Sequence, residues 1–217
     1  MTGETLLVAT RSAGKLAELA PLLEAAGFHA RSLDDAGLAR APAEDALESF
    51  DTFEENALTK ARYFLALGTG LAVLADDSGL SVNALGGAPG VRSRRWSDRA
   101  LAGVALDAAN NRALLAALAG AHDRRARFVC VAAIAWRGGE THARGESAGA
   151  ILLEPRGANG FGYDPLFLSE ELAKTFAEAT RDEKARVSHR ARAVRAVLAR
   201  FASRATGADV DPARDRG

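Results

Sequence analysis

The sequence predicts an α/β fold built on a mixed β-sheet, and three observations support this expectation. Short apolar runs alternate with helical patterns through the first half of the chain, which is the element order of α/β proteins. The segments 127–136 and 140–152 then follow one another across Gly138-Gly139, which predicts an antiparallel hairpin. The chain has 217 residues, of which 48% are hydrophobic and 26% are charged, so it can bury a core and has the composition of a globular domain.

The first half of the chain contains three predicted strands and two predicted helices. Leucines recur at helical spacing from Leu16 to Leu23, and Gly27 is a suitable stop for that helix. Thr52, with Glu55 three residues later, is typical of a capping box at a helix start. The predicted elements are a strand over 5–9, the leucine-rich helix, a strand over 28–33, a helix over 52–67, and a strand over 71–75 that ends at Asp76.

The second half of the chain is predicted to hold two helices and the hairpin. We expect one domain over 1–203, and a disordered tail over 204–217 because that segment is charged and has no periodicity. The predicted elements are a helix over 105–118, hairpin strands over 127–136 and 140–152, a glycine-rich loop over 157–165, and one long helix over 182–202.

Composition and charge exclude several classes of protein. Lys plus Arg and Asp plus Glu both number 28, so there is no overall positive field for nucleic acid or an anionic membrane. The single Cys130 excludes an internal disulfide, and the four histidines lack zinc-binding spacing. No apolar run approaches the ~18 residues of a membrane helix, and the N-terminus lacks a signal-peptide pattern. We expect a cytoplasmic protein that binds neither nucleic acid nor membranes.

The segment from Thr10 to Lys15 is a candidate phosphate-binding loop. It follows a strand and opens a helix, so backbone N–H groups and the positive end of the helix point into it. It is not a Walker A loop, because Ala9 stands at the first glycine position and Leu16 stands where Ser or Thr would bind Mg²⁺. The alternative is a polar turn with a solvated lysine.

Carboxylates supply a candidate metal site. Asp76 and Asp77 follow a predicted buried strand, and ligands of open α/β sheets bind beyond the carboxyl ends of strands. Such oxygens suit Mg²⁺, and one of the two carboxylates can take a proton from water. Glu48 lies in a predicted loop from which it can reach a metal, and Lys60 shares a helix face with Glu55, Asn56 and Thr59. The alternatives are a capped turn and a solvated helix face.

Two later segments carry groups suited to a nucleotide base. The glycine-rich loop places Phe161 and Tyr163 where aromatic rings can stack on a flat ligand. Lys184, His189 and Arg190 lie in the predicted last helix and can donate hydrogen bonds to phosphate or base oxygens. A structural loop and a set of surface residues are the alternatives.

Taken together, these segments resemble the inosine triphosphatase family of non-canonical purine nucleoside triphosphate pyrophosphatases. The resemblance covers about 6–198. It depends on the order of the segments more than on any one of them. They are VATRSAGKLAEL, TFEENALTKA, LADDSGLSVNALGGAPGVRSRRW, GANGFGYDPLF, KTFAEATRDEK and SHR.

The resemblance implies two α/β lobes around an elongated mixed sheet, with nucleotide in a central cleft, and a Mg²⁺-dependent homodimer. It implies hydrolysis of ITP, dITP and XTP to the nucleoside monophosphate and pyrophosphate. Asp77 would be general base and metal ligand, and Glu48 a second metal ligand. By position, the substrate-binding residues would be Thr10, Arg11, Ser12, Ala13, Gly14, Lys15 and Lys60 at the phosphates, Ser78, and then Phe161, Gly162, Tyr163, Asp164, Lys184, His189 and Arg190 around the base and sugar.

Two positions depart from the family pattern. Ser12 stands where the family usually has Asn, and Phe50 stands where it usually has Gly. Two other functions stay open. A Maf-like nucleotide pyrophosphatase would share the fold and the reaction with another base preference, and a non-catalytic nucleotide-binding module would need no strong metal site. The GFGYD and SHR segments argue against the first, and the paired aspartates with Glu48 argue against the second.

Overall fold

A computed structural model describes residues 3–97 and 100–204 of the chain. Its centre is a six-stranded mixed sheet in the order β2-β1-β3-β4-β5-β6. Strand β1 pairs in parallel with β2 and β3, and the remaining pairs are antiparallel. The predicted α/β class and mixed sheet are therefore confirmed. The strands are β1 (Thr5–Val8), β2 (His29–Ser32), β3 (Ala72–Val82), β4 (Arg125–Trp136), β5 (Gly139–Ile151) and β6 (Phe167–Ser169).

Five α-helices pack on the sheet or beside it. Ser12 and Thr52 cap the first two, each by accepting a hydrogen bond from the backbone N–H three residues later. No helix in the described ranges combines the length and the apolar character that a membrane crossing needs. The helices are α1 (Ala13–Ala25), α2 (Phe53–Ala66), α3 (Gly103–Ala117), α4 (Arg181–Val187) and α5 (His189–Ser203).

Strand alternation divides the core into three clusters. Even-numbered residues of β1, β3 and β4, such as Leu74, face α1 and α5, and odd-numbered residues, such as Val73, face α2. The third cluster lies at the other end of β3 and β4 and includes Leu80, Phe128 and Phe176. The long central strands thus contribute to all three clusters, and the division of the chain into two lobes stays a prediction.

The prediction that a strand ends before Asp76 is wrong. Strand β3 continues to Val82, because it pairs with β4 along its whole length, from Val73 with Ala135 to Val82 with Ala126. The pairing is non-local and does not depend on the polarity of the aspartates. Asp76 and Asp77 therefore lie in the middle of a strand.

The single long C-terminal helix is also wrong, because the chain breaks at Ser188. The backbone of Ser188 is extended, with ψ of 147°, and its Oγ accepts the N–H of Ala191 at 3.2 Å. This cap ends α4 and starts α5. Arg204, the first residue of the predicted disordered tail, donates to Glu4 at 2.7 Å, and the rest of that tail lies outside the described residues.

Candidate active site

The candidate site lies where β1 ends and β3 continues. Val8 is the last residue of β1 and pairs with Leu74, and the N–H of Ala9 donates to the Leu74 carbonyl at 2.8 Å. Beyond this point the edge of β3 has no β1 partner, and the candidate phosphate loop turns away into α1. The aspartates of β3 lie just past this point, so the sheet brings them beside the loop.

Asp76 and Asp77 point to opposite faces of β3, because successive residues of a strand alternate. Asp76 shares its face with Cys130 and contacts residues of α1 and α5. Asp77 contacts Asn56 of α2 at 2.8 Å. The two carboxylates are adjacent in sequence but belong to different parts of the site.

Asp76 is fully buried and joins two cations. Its Oδ2 lies 3.1 Å from both the Lys15 Nζ and the Arg190 Nε. Burial opposes ionisation of Asp76, but Lys15 and Arg190 outweigh it and hold the pKa of this carboxyl well below its usual range. Its Oδ1 is buried without a hydrogen-bond partner in the described part of the chain. Asp76 is therefore an anion that positions two side chains predicted to bind substrate.

Asp77 is nearly buried and is held by amides. Its Oδ2 accepts from the Asn56 Nδ2 at 2.8 Å, and its Oδ1 accepts from the Ser78 N–H at 2.9 Å. Burial raises the pKa of Asp77, and the nearby Glu48 carboxylate adds to the effect while Lys15 opposes it. A carboxylate with a raised pKa and oriented oxygens is suited to accept a proton.

Glu48 pairs with Lys60, which α2 projects from one turn beyond Asn56. Burial opposes ionisation of Glu48, but the Lys60 ammonium and Lys15 lower its pKa to about 2. Arg95 donates to the Glu48 carbonyl and holds the backbone. Lys60 is buried, so the alternative of a solvated helix face does not apply to it.

Phe50 is accommodated through its backbone. The Asn56 Oδ1 accepts the Phe50 N–H at 3.0 Å, and the Asn56 Nδ2 donates to the Phe50 carbonyl at 3.3 Å. The Phe50 ring is 41% exposed and takes no part in this pairing. Asn56 thus links the Glu48 loop to Asp77, whatever side chain stands at position 50.

The candidate phosphate loop is a capped helix start. The Ser12 Oγ accepts from the Lys15 N–H at 3.3 Å, and the Thr10 Oγ1 accepts from the Ser12 N–H at 3.2 Å. Ala13 and Gly14 are the first residues of α1, where backbone N–H groups have no partner within the helix. These N–H groups and Lys15 can receive an anion. Ser12 fills the capping role that Asn would also fill.

Arg11, predicted to contact phosphate, is engaged elsewhere. Its Nε and Nη2 donate to Glu44 at 3.0 and 2.8 Å, and its Nη1 donates to the Leu38 carbonyl at 2.8 Å. The bidentate pair with Glu44 fixes the plane of the guanidinium. Arg11 therefore anchors the loop to the segment around Glu44 and Leu38, and the geometry does not favour direct phosphate binding.

Glu18 of α1 gathers the residues predicted around the base. It lies 2.7 Å from the Lys184 Nζ and also pairs with Arg190. The Lys184 Nζ lies 2.6 Å from the Asp164 Oδ2 and 5.2 Å from the centre of the Phe161 ring. Burial opposes ionisation of Lys184, but Asp164 and Glu18 outweigh it and raise its pKa. The ring and the cations therefore form one assembly.

Arg190 and Tyr163 have other roles than direct base contact. All three guanidinium nitrogens of Arg190 have protein partners, because Nε binds Asp76, Nη1 binds Glu18 and Nη2 donates to the Ser78 Oγ at 2.8 Å. Tyr163 lies in the third core cluster and its hydroxyl donates to a backbone carbonyl at 2.8 Å. The placement does not favour stacking of Tyr163 on a base and leaves that role to Phe161.

His189 is buried and is not charged. Its ring stacks on Phe128, with centroids 4.6 Å apart. Burial, with Arg190 and Lys184, lowers the pKa of His189 well below its usual value, so the imidazole is neutral. Its Nδ1 is buried and has no hydrogen-bond partner within residues 3–97 and 100–204.

The sequence prediction misses Glu18, and it gives Asn56 no role beyond the helix face that Asn56 shares with Lys60. Asn56 lies one turn before Lys60 on α2, and Glu18 lies one turn after Lys15 on α1, so helical spacing was an available signal for both. The signal is weak, because polar residues at this spacing are common on solvated helix faces.

The carboxylates of Glu48 and Asp77 have the chemistry of ligands for a hard cation such as Mg²⁺. In the part of the chain that the structure describes, no three Asp, Glu, His or Cys side chains form a ready metal cluster. Mg²⁺ commonly binds through one or two carboxylates plus substrate phosphates. Two carboxylates, one with a pKa raised by burial and by its neighbour, are a donor set that a cation would stabilise.

The chain is similar to several known proteins along most of its length. A model of the Ham1 family matches residues 6–200. The dITP/XTP pyrophosphatase of Syntrophobacter fumaroxidans is 50% identical over 190 residues, or 87% of this chain and 78% of that protein. The dITP/XTP pyrophosphatase of Mycolicibacterium paratuberculosis is 50% identical over 199 residues, or 89% and 93%.

Solved structures show the same architecture. A HAM1 protein from Coxiella burnetii is 34% identical, with a TM-score of 0.77 over 92% of this chain and 99% of that one. The nucleoside-triphosphatase, or dITP/XTP pyrophosphatase, of Mycobacterium abscessus is 44% identical, with a TM-score of 0.66 over 89% and 98%. The family match and these similarities extend over most of the chain, and the chain therefore belongs to the Ham1 family.

Proposed function

We propose that this chain hydrolyses the non-canonical purine nucleoside triphosphates ITP, dITP and XTP to the nucleoside monophosphate and pyrophosphate, with Mg²⁺ as cofactor. The relatives named dITP/XTP pyrophosphatase support the substrate class. The observation that carries the proposal is the meeting of Asp77 and Glu48 with Lys15 and Lys60 beside the start of α1. Homodimer formation stays a prediction of the family resemblance, and a cytoplasmic location stays a prediction from the sequence pattern.

The triphosphate would bind along the candidate phosphate loop. The N–H groups at the start of α1 and the ammonium groups of Lys15 and Lys60 would contact its oxygens. Mg²⁺, when held by Asp77 and Glu48 with these phosphates, would offset their negative charge. Asp76 supports this binding indirectly, because it positions Lys15 from the opposite face of β3.

Asp77 would act as the general base. It takes a proton from a water molecule while the water oxygen attacks the α-phosphorus, and the bond from that phosphorus to the bridging oxygen breaks to release pyrophosphate. Charge develops on phosphate oxygens during this step, and Lys15 and Lys60 stabilise it. Asn56 keeps the Asp77 carboxylate oriented through its 2.8 Å hydrogen bond.

The base would lie beside Phe161 and His189. The Phe161 ring is half-buried and can stack on a purine. His189 is neutral, so its ring can offer one N–H donor to an oxygen at the six position of the base. Adenine carries an amino group there and would leave a buried donor unpaired, which costs ~1–3 kcal/mol. This pairing favours hypoxanthine and xanthine over adenine.

Product analysis tests the reaction and separates it from the alternatives. Incubation with ITP and Mg²⁺ is expected to yield IMP and pyrophosphate, and EDTA is expected to abolish the reaction. Orthophosphate as the first product would contradict the proposal. Turnover of other nucleotides in preference to ITP would favour a Maf-like enzyme, and binding of ITP without turnover would favour a non-catalytic module.

Glu48→Gln is expected to raise the Mg²⁺ concentration that gives half-maximal activity by roughly tenfold or more, as removal of metal-supporting groups commonly does. The substitution removes one negative charge beside Asp77 and leaves the shape unchanged. Magnesium titrations of ITP hydrolysis measure the effect. Glu140→Gln is the matched control, because Glu140 is a carboxylate paired with Arg62 away from the site. An unchanged magnesium requirement in Glu48→Gln would remove Glu48 from the metal site.

A further inference from the structure

Helix α3 holds the backbone of the glycine-rich loop at one residue. The Gly162 N–H donates to the Asp107 Oδ2 at 2.9 Å, and the Gly162 carbonyl accepts from the Asn111 Nδ2 at 2.9 Å. Asp107 and Asn111 are four residues apart and therefore share one face of α3. Gly162 has φ of +62°, a conformation that favours glycine. Both of its polar backbone groups are thus satisfied by side chains of a helix.

The residue before Gly162 is Phe161, whose ring lies against both the phosphate loop and the cations of the last two helices. A Cβ added to Gly14 would lie 2.7 Å from the Phe161 Cδ1, so the ring rests directly on the phosphate loop. The Lys184 Nζ and the Arg190 Cζ lie 5.2 and 5.6 Å from the ring centre. A shift of this ring would change the space for a base without removing any phosphate ligand.

The backbone of Phe161 is fixed on both sides. Its own N–H donates to the Asp164 Oδ2 at 2.9 Å, and its carbonyl accepts from the Asp164 N–H at 3.2 Å. The Phe161 carbonyl belongs to the same peptide group as the Gly162 N–H, which donates to Asp107. The direction of the ring therefore depends on Asp164 from within the loop and on α3 from outside it.

The side-chain amide of Asn111 uses its nitrogen but not its oxygen. Its Oδ1 is buried and has no hydrogen-bond partner among the described residues. A buried unpaired acceptor is unfavourable by ~1–3 kcal/mol, and an apolar side chain of similar shape would avoid this. The amide is therefore needed for the donor that Nδ2 supplies to Gly162.

We propose that Asp107 and Asn111 are positioning residues that set the place of the Phe161 ring and thereby the binding of the purine base. This inference rests on the proposed function, because it assigns the partner of the ring. The inference extends the site to α3. In the described part of the chain, Asp107 and Asn111 of this helix donate to or accept from Gly162 and not from the phosphate loop or the aspartates of β3.

Two substitutions that barely change shape have opposite expected results. Asn111→Asp replaces the donor with an oxygen facing the Gly162 carbonyl, so KM for ITP is expected to rise about tenfold, equivalent to ~1.4 kcal/mol, with kcat within about twofold of wild type. Asp107→Asn keeps an oxygen acceptor for the Gly162 N–H, so KM is expected to stay near wild type. Asp107→Ala removes the acceptor and is expected to raise KM like Asn111→Asp.

Inhibition by inorganic tripolyphosphate separates base binding from phosphate binding. Its inhibition constant is expected to stay within about twofold of wild type in every variant, because the phosphate loop and its lysines are intact. Arg112→Ala, at an exposed position of the same helix, is the control and is expected to match wild type. Thermal melting confirms that each variant is folded, and Asn111→Ala replaces Asn111→Asp if the latter is not.

Hydrogen exchange of the Gly162 amide tests the hydrogen bond between Gly162 and Asp107 in the absence of nucleotide. Exchange is expected to be faster in Asp107→Ala and unchanged in Asp107→Asn. A wild-type KM in a folded Asn111→Asp variant, or equal effects of Asp107→Asn and Asp107→Ala, would overturn the inference. Failure of the wild type to hydrolyse ITP would instead refute the proposed function, and the exchange measurement would still decide whether α3 holds the loop.

Discussion

Replacing Asp77 by Asn is expected to lower kcat for ITP by ~10²–10⁴-fold, the usual loss when a positioned base is removed. The amide has nearly the same shape and can keep the contact with Asn56, but it cannot take a proton from water. It also removes one of the two negative charges that Glu48 and Asp77 offer to Mg²⁺. Steady-state kinetics at saturating Mg²⁺ isolate the loss of the base from weaker metal binding.

Asp123→Asn is the control for this experiment. Asp123 is an aspartate paired with the exposed Arg125 on the surface, and its substitution is expected to leave kcat unchanged. Near-full activity of Asp77→Asn at saturating Mg²⁺ would show that another group accepts the proton. In that case the geometry around Asn56 and Asp77 would serve metal binding alone.

Replacing Arg190 by Ala is expected to destabilise the fold by ~3–5 kcal/mol, because it breaks a buried ion pair and leaves the partner charge behind. Asp76 is 0% exposed and would keep only Lys15 as a close cation, and Glu18 would keep Lys184. For a protein of this size the loss corresponds to a fall in Tm of roughly 10 °C. Thermal and denaturant unfolding measure it.

Arg62→Ala provides the matched control for Arg190→Ala. Arg62 also pairs with a carboxylate, Glu140, but both side chains are substantially exposed. Such surface pairs are worth ~0–1 kcal/mol, so its Tm is expected to stay within a few degrees of wild type. Equal Tm values for the two variants would show that the Arg190 network contributes nothing to stability.

Local patterns in the sequence predicted most of the elements but not their limits. Apolar periodicity located β1, α1, α2 and the β4–β5 hairpin within a few residues. The polar run that begins at Asp76 suggested the end of a strand, whereas pairing with β4 carries β3 on to Val82. A cross-strand partner more than 40 residues away is not visible in local polarity. The sequence prediction also missed the three-residue strand β6, which is too short for a periodic pattern.

In the site, the sequence indicates which residue types are present but not what each residue does. The sequence predicts site roles for Lys15 and Lys184, and the structure pairs Lys15 with Asp76 and Lys184 with Asp164 and Glu18. The roles of Arg11 and Arg190 depend on Glu44 and Asp76, which are distant along the chain. The sequence shows that an arginine can donate, but only the fold shows that its donors are already used.

The preference for ITP over ATP tests the central claim most directly. We expect kcat/KM for ITP with Mg²⁺ to exceed that for ATP by roughly 10²–10⁴-fold. This is the discrimination expected from two unpaired polar groups, the His189 N–H and the adenine amino group, at ~1–3 kcal/mol each. The measurement uses wild-type protein, both substrates under identical conditions, and direct detection of pyrophosphate. A kcat/KM for ATP equal to or above that for ITP would contradict the proposed function.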